Sequence, residues 1–302
     1  MWLPLIGSAI LVAGIAVTGL GTAGGEGAVP SESPVPIAGG TFQASAVVHV
    51  PATRRFLFVD DDRYTELFAF EIGSDGKQRG DARATPLGAR VTDPEGMTYD
   101  GRYFYVVGSQ SKPIGFEGDG LVRFVYDAGS GRTTGVERIE GLKAWLSRHV
   151  PELRGIEHRI GDHVVNIEGL AWDPDGQRLL LGLRAPVIDD SALIVPVRLS
   201  RGDAPFTREN LMLAGETIRL SLGGAGIRSI EFDEKSKRYR IITGASLNDE
   251  TLDFQVLEWD GTPGSKLVGI RSYGKELKPE GVTTADELRV LVFDTGLLQV
   301  VR

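Results

Sequence analysis

Short apolar runs recur along the chain from residue 40 onward, each bounded by turns rich in Asp, Gly and Pro. Three runs open on nearly the same phrase: Asp93-Pro94-Glu95-Gly96-Met97-Thr98-Tyr99-Asp100, Asn166-Ile167-Glu168-Gly169-Leu170-Ala171-Trp172-Asp173 and Lys278-Pro279-Glu280-Gly281-Val282-Thr283-Thr284. A fourth, Gly226-Ile227-Arg228-Ser229-Ile230-Glu231-Phe232-Asp233, aligns when Asp233 is set against Asp173, which puts Arg228 where the others carry Glu. Ala46–Val50 is a fainter first copy. Turns such as Asp100-Gly101-Arg102 and Asp173-Pro174-Asp175-Gly176-Gln177 have the residues that tight hairpins demand.

Second strands are predicted at Phe56–Val59, Tyr103–Val107, Leu179–Leu183, Tyr239–Thr243 and Leu288–Phe293. Third strands follow at Leu67–Ile72, Leu121–Tyr126, Ala192–Leu199, Phe254–Trp259 and Leu297–Val301, with outer strands at Glu216–Leu222 and Lys266–Ser272. Runs this apolar suit strands covered on both faces. Four-stranded repeats of roughly forty to fifty residues make an all-β propeller the expected fold. The domain is expected over residues 41–302, with five blades, or six if one hides in 73–90 or 127–165. Thr41–Ala44 is the expected closing strand for the last repeat. Leu142–Val150 breaks the pattern with helical spacing of Leu142, Trp145, Leu146 and Val150, so a short inserted helix is predicted there.

The N-terminus reads differently. Leu3–Leu20 is uncharged and mostly apolar, and Gly21 and Ala23 have the spacing of a signal-peptidase site. Residues 1–23 are read as an export signal and 24–40 as a flexible lead-in, giving a periplasmic or secreted protein free of the membrane after cleavage. No Lys or Arg precedes Arg54, so the expected positive leader is missing, and the alternative is a retained membrane anchor, because the apolar run is nearly long enough to span.

Composition narrows the chemistry. Among 302 residues there is no cysteine, which excludes disulfides and thiolate sites. The net charge of -8 disfavours a nucleic-acid partner. The Asn166–Asp173 phrase, continued by Pro174-Asp175-Gly176 and then Leu179–Pro186, resembles a bacterial propeller family catalogued as a domain of unknown function, and Gly226–Ile230 fits it as well. The Glu-Gly entries are also similar, more weakly, to those of esterase-like and phytase-like propellers. The first resemblance implies a propeller and no particular activity.

In a propeller the first strand of each blade lines the channel, so Glu95, Glu168, Arg228 and Glu280 are expected to share one ring. The glycine after each Glu would let backbones meet where blades converge. Residues ending the second strands, Asp60, Asp61, Ser109, Arg184, Ser246 and Asp294, are expected at one mouth of the channel. Three readings stay open. The charges could pair with one another and close the channel. They could bind a small molecule or ion at the mouth. Glu95, Glu168, Glu280 and Asp61 could instead hold a hard cation such as Ca²⁺ for ester or phosphoester hydrolysis, an option the arginines oppose by supplying the positive charge themselves. A protein-interaction scaffold is a further class. Ser109-Gln110-Ser111-Lys112 matches a Ser-x-x-Lys nucleophile motif but lacks its helix and partner motifs. His158 and His163 read as loop residues, and Asp189-Asp190 as an exposed hairpin tip.

Overall fold

The computed structural model describes residues 33–155, 165–246 and 251–302. Those residues form five antiparallel sheets in sequence order, the blades of one all-β propeller. Blade one holds β2 (Ala44–His49), β3 (Arg55–Asp60), β4 (Glu66–Ile72) and β5 (Gln78–Pro86). Blade two holds β6 (Pro94–Tyr99), β7 (Phe104–Gly108), β8 (Gly120–Asp127) and β9 (Arg132–Glu140). Blade three holds β10 (Asn166–Asp173), β11 (Arg178–Ala185) and β12 (Ser191–Leu199). Its outer edge is shared by β13 (Leu211–Leu213) and β14 (Ile218–Ser221). Blade four holds β15 (Ala225–Asp233), β16 (Arg238–Ala245), β17 (Phe254–Trp259) and β18 (Val268–Tyr273). Blade five holds β19 (Pro279–Ala285), β20 (Leu288–Phe293) and β21 (Leu297–Val301).

The last blade takes its outer strand from the start of the described chain: β1 (Val35–Pro36) pairs antiparallel with β21. This corrects the expectation for Thr41–Ala44; Ala44 instead opens the inner strand of blade one. The closing strand therefore lies within the segment read as a flexible lead-in. Among the described residues of 73–90 and 127–165 there is no sixth blade, and β5 and β9 complete blades one and two. These two outer strands are mostly exposed, with no apolar run to announce them. The inserted helix α1 runs Leu142–His149, and Leu142, Trp145 and Leu146 enter the core shared by blades two and three. Among the described residues no helix is long and apolar enough to cross a membrane. The apolar run at Leu3–Leu20 and the His158/His163 pair lie outside the described residues.

Stacking of blades explains the unbroken apolar strands. Leu57 and Leu67 of blade one share a core with Phe104, Val106 and Phe124 of blade two, all buried. Leu179, Leu181 and Leu183 face the blade two side, while Leu180 packs with Ile227 and Ile241 of blade four. Each such side chain contributes about 1.5–3 kcal/mol by leaving water. At the Asp189-Asp190 tip both residues have positive φ, 49° and 58°, and Ile188 bridges Ser191 across the tip. That is the backbone twist of a two-residue hairpin.

Candidate functional site: a ring of bulged residues at the channel mouth

Each inner strand contains one β-bulge, and in all five blades it falls at the same place. Against the second strand, Ala44 and Ala46 are paired but Ser45 is skipped. Glu95, Glu168, Arg228 and Glu280 are skipped likewise. A bulge re-aims its extra residue, so the repeat delivers five side chains to one ring of the channel. In blade three the facing strand also skips a residue, Arg184, and this extra residue meets Glu168.

The glycines after the glutamates explain how the ring closes. A Cβ on Gly281 would lie 2.8 Å from the Val47 nitrogen and 2.9 Å from the Ala46 Cα, both backbone atoms of blade one. One on Gly96 would lie 2.8 Å from Leu170 Cβ, and one on Gly169 2.9 Å from side-chain carbons of Ile227 and Ile230. Glycine is needed there because inner strands of adjacent blades touch.

Arg228 organises the ring. Its guanidinium donates from Nε to Oε2 of Glu280 at 3.0 Å and from Nη2 to Oε1 of the same carboxylate. Oε2 of Glu168 lies 2.8 Å from the same Nε. The single Nε proton points at Glu280, so Glu168 Oε2 is paired by charge while accepting no hydrogen bond. Oε1 of Glu168 accepts from Arg184 Nη1 at 2.9 Å, and Arg184 Nε donates to the Ala245 carbonyl at 3.2 Å. Glu168, Arg228 and Glu280 are all buried. Paired in this way, buried charges are tolerable.

Glu95 is different. It is partly buried and, among the described residues, makes no hydrogen bond or ion pair. Burial pushes its carboxyl well above the usual glutamate range; the negative charges of Glu168, Glu280 and Asp93 push the same way, against Arg228. Burial also pushes Glu280 up to about 8, with Arg228 pulling it down. Arg228 itself is held protonated: burial opposes its charge, but Glu168 and Glu280 outweigh that. Glu95 and Glu280 are therefore both biased toward the protonated form, and of the two Glu95 is the one without an arginine partner.

Above the ring opens a cavity of about 490 Å³ lined by Ser45, Asp61, Glu95, Arg184, Arg228 and Glu280, with Asp294, Lys275, Lys278 and the apolar Leu252 and Phe254. Burial, with Asp294 and Asp62 next, raises Asp61 to about 7, and its Oδ1 is buried without a partner. Asp294 pairs with Lys278 at 3.0 Å.

Of the residues expected at the mouth, Asp61, Arg184 and Asp294 line this cavity and Ser109 and Ser246 do not. Ser109 Oγ donates to Asp93 and sits 2.8 Å from Ser111 Oγ, a local turn network with no helix around it. Asp60 accepts from the Gln43 and Asp62 backbone nitrogens at 3.0 and 3.1 Å and so braces the strand end. Ser45, Leu252, Phe254 and Lys275 were not anticipated. Ser45 was within reach: carrying the first repeat copy one residue back aligns Ser45-Ala46 with Glu-Gly.

Carboxylate oxygens of Glu95, Glu168 and Glu280 lie within 4.8 Å of one another, close enough for a shared cation. Asp61 is outside that group. Arg228 already stands between Glu168 and Glu280, so a divalent ion there would have to displace or face a guanidinium. The donor set does not fit a hard cation well.

Residues 158–266 match the family described as protein of unknown function (DUF3616). That span covers blade three and most of blade four. Similar solved structures include the pyranose dehydrogenase PQQ domain from Coprinopsis cinerea, 9% identical, covering 88% of this chain and 94% of that one, with a TM-score of 0.48. Another is a virginiamycin B lyase from Staphylococcus aureus, 9% identical, covering 86% and 80%, with a TM-score of 0.40. A third is a putative 6-phosphogluconolactonase from Bacteroides fragilis, 12% identical, covering 85% and 79%, with a TM-score of 0.44. No curated protein matches the chain.

Proposed function

We propose that this propeller binds a small polar organic molecule in the channel-mouth cavity. The observation that carries the reading is the contrast between two sets of acids. Glu168 and Glu280 are each paired with an arginine, Arg184 or Arg228, whereas Glu95 and Asp61 face the same cavity without such a partner. Two carboxyls with raised pKa values, Glu95 and Asp61, can both donate and accept, which suits a ligand that carries both hydrogen-bond donors and acceptors. Phe254 and Leu252 offer its carbon skeleton an apolar wall. A ligand that brings an ammonium group would displace protons from these acids as it binds.

A metal-dependent hydrolase remains the second reading, because three carboxylates do converge; Arg228 weighs against it. Calorimetric titration with putrescine and, separately, calcium chloride separates the two. Saturable putrescine binding that is lost when Glu95→Gln is combined with Asp61→Asn supports the organic ligand. Stoichiometric calcium binding lost in Glu95→Gln would overturn it in favour of the metal. We further propose that the propeller works outside the cytoplasm, on the strength of the Leu3–Leu20 run followed by Gly21 and Ala23.

A further inference from the structure

At the opposite end of the inner strands from the Glu ring, a second cavity of about 530 Å³ lies between blades two and three. Its chemistry is the reverse of the channel mouth. Arg123 of β8, almost fully buried, lies with its guanidinium carbon 4.4 Å from the Tyr103 ring centre and 4.5 Å from that of Phe206. The guanidinium of Arg102 lies over the same Tyr103 ring at 4.8 Å. Trp172 of β10 completes the aromatic lining, and Arg198 of β12 enters from the side.

The acids nearby are already committed. Glu137 pairs with Arg123 at 2.7 Å. Asp100 accepts from the backbone nitrogens of Arg102 and Tyr103 and from the Tyr105 hydroxyl, each at 2.7 Å. Arg102 and Arg198 are exposed, and neither has an ion pair among the described residues. In a chain of net charge -8, two exposed guanidiniums without ion pairs on one aromatic-lined cavity mark a local reversal of charge. Guanidinium groups both stack on rings and grip carboxylate or phosphate oxygens in pairs. The volume is that of an ordinary small-molecule site.

We propose that this cavity is a second binding site, for a small aromatic anion. The ring of the ligand lies against Trp172 and Phe206, and its acidic group is held by Arg102 and Arg198. The site is separate from the channel mouth and stands or falls independently of the reading given for it.

Calorimetry of the full propeller with 2-naphthoate tests this directly, with 2-naphthamide as the same ring without charge and cyclohexanecarboxylate as the charge without a flat ring. Saturable 2-naphthoate binding is expected, weakened at least about tenfold in both analogues and in an Arg102→Gln, Arg198→Gln double variant. Both substitutions are on exposed side chains, so the fold survives them. A second double variant, Arg54→Gln with Arg132→Gln, makes the same change in net charge elsewhere on the surface and keeps the affinity. The proposal is overturned if 2-naphthoate gives no saturable heat, if the amide binds as tightly, or if the two double variants behave alike.

Discussion

Arg228 and Glu280 stand 52 residues apart and form a buried two-point ion pair between the inner strands of blades four and five, with Nε 3.0 Å from Oε2. Arg228 is the one charged member of the ring that departs from the repeated Glu, and it is the member that holds two of the glutamates. A ring of acids alone would invite a cation; the arginine supplies one within the chain.

Replacing Arg228 by Met should therefore destabilise the propeller by about 3–5 kcal/mol, since it leaves Glu280 buried without its cation. The loss should be smaller at acidic pH, where the orphaned glutamates can protonate, and larger at alkaline pH. Thermal melts of R228M across pH would show this; a uniform loss at every pH would mean that packing, not charge, is what Arg228 supplies.

Stability of the unaltered protein should fall as pH rises. Glu95, Glu280, Asp61 and Glu231 all have folded-state values above their ordinary ones, the last raised to about 7 chiefly by burial. Each group then binds more protons folded than unfolded. Its contribution is complete below the ordinary carboxylate range and is lost as pH climbs through the folded value. Melting temperatures should decline between about pH 5 and about pH 9, and Glu95→Gln should flatten the decline. A melting temperature that rises over that interval contradicts the assignment.

The blade junctions make a sharper structural prediction. Gly281→Ala forces a methyl against the backbone of Ala46 and Val47 and should cost about 1–3 kcal/mol. Gly269→Ala, on the outer strand of blade four, meets nothing within 4 Å and should be near neutral. Equal denaturant midpoints for the two variants would show that the inner strands can move apart freely.

These residues also mark how far the sequence could be read. The Glu-Gly phrase and the apolar runs announce five repeats, because inner and middle strands are buried on both faces and leave a continuous apolar trace. Outer strands β5 and β9 leave none, since water covers them. The closing strand Val35–Pro36 is too short and too exposed to register. The ring members Glu95, Glu168, Arg228 and Glu280 were visible by alignment. That they are bulge residues, and that Ser45 completes the set, depends on strand pairing, which no single sequence displays. Phe254 and Leu252 reach the cavity through blade geometry and carry no motif.

Ring closure can be tested by truncation. Removing residues 1–32 leaves β1 in place, whereas removing 1–40 takes away β1 and the buried Ile37. The longer deletion should lower the denaturant midpoint clearly, because it exposes the β21 edge and opens a cavity. Similar midpoints for both would show that blade five does not depend on its borrowed strand.

The ring pairs with itself around Arg228 and leaves Glu95, its carboxyl raised by burial, as the unpaired acid at the mouth of the channel. Carboxyl NMR of ¹³C-labelled protein, titrated with Glu95→Gln as the assignment control, reads this most directly. The Glu95 resonance should titrate well above the usual glutamate range and move higher still in R228M, where the lowering charge of Arg228 is gone. A Glu95 carboxyl that ionises in the ordinary range, or one indifferent to the loss of Arg228, would contradict it.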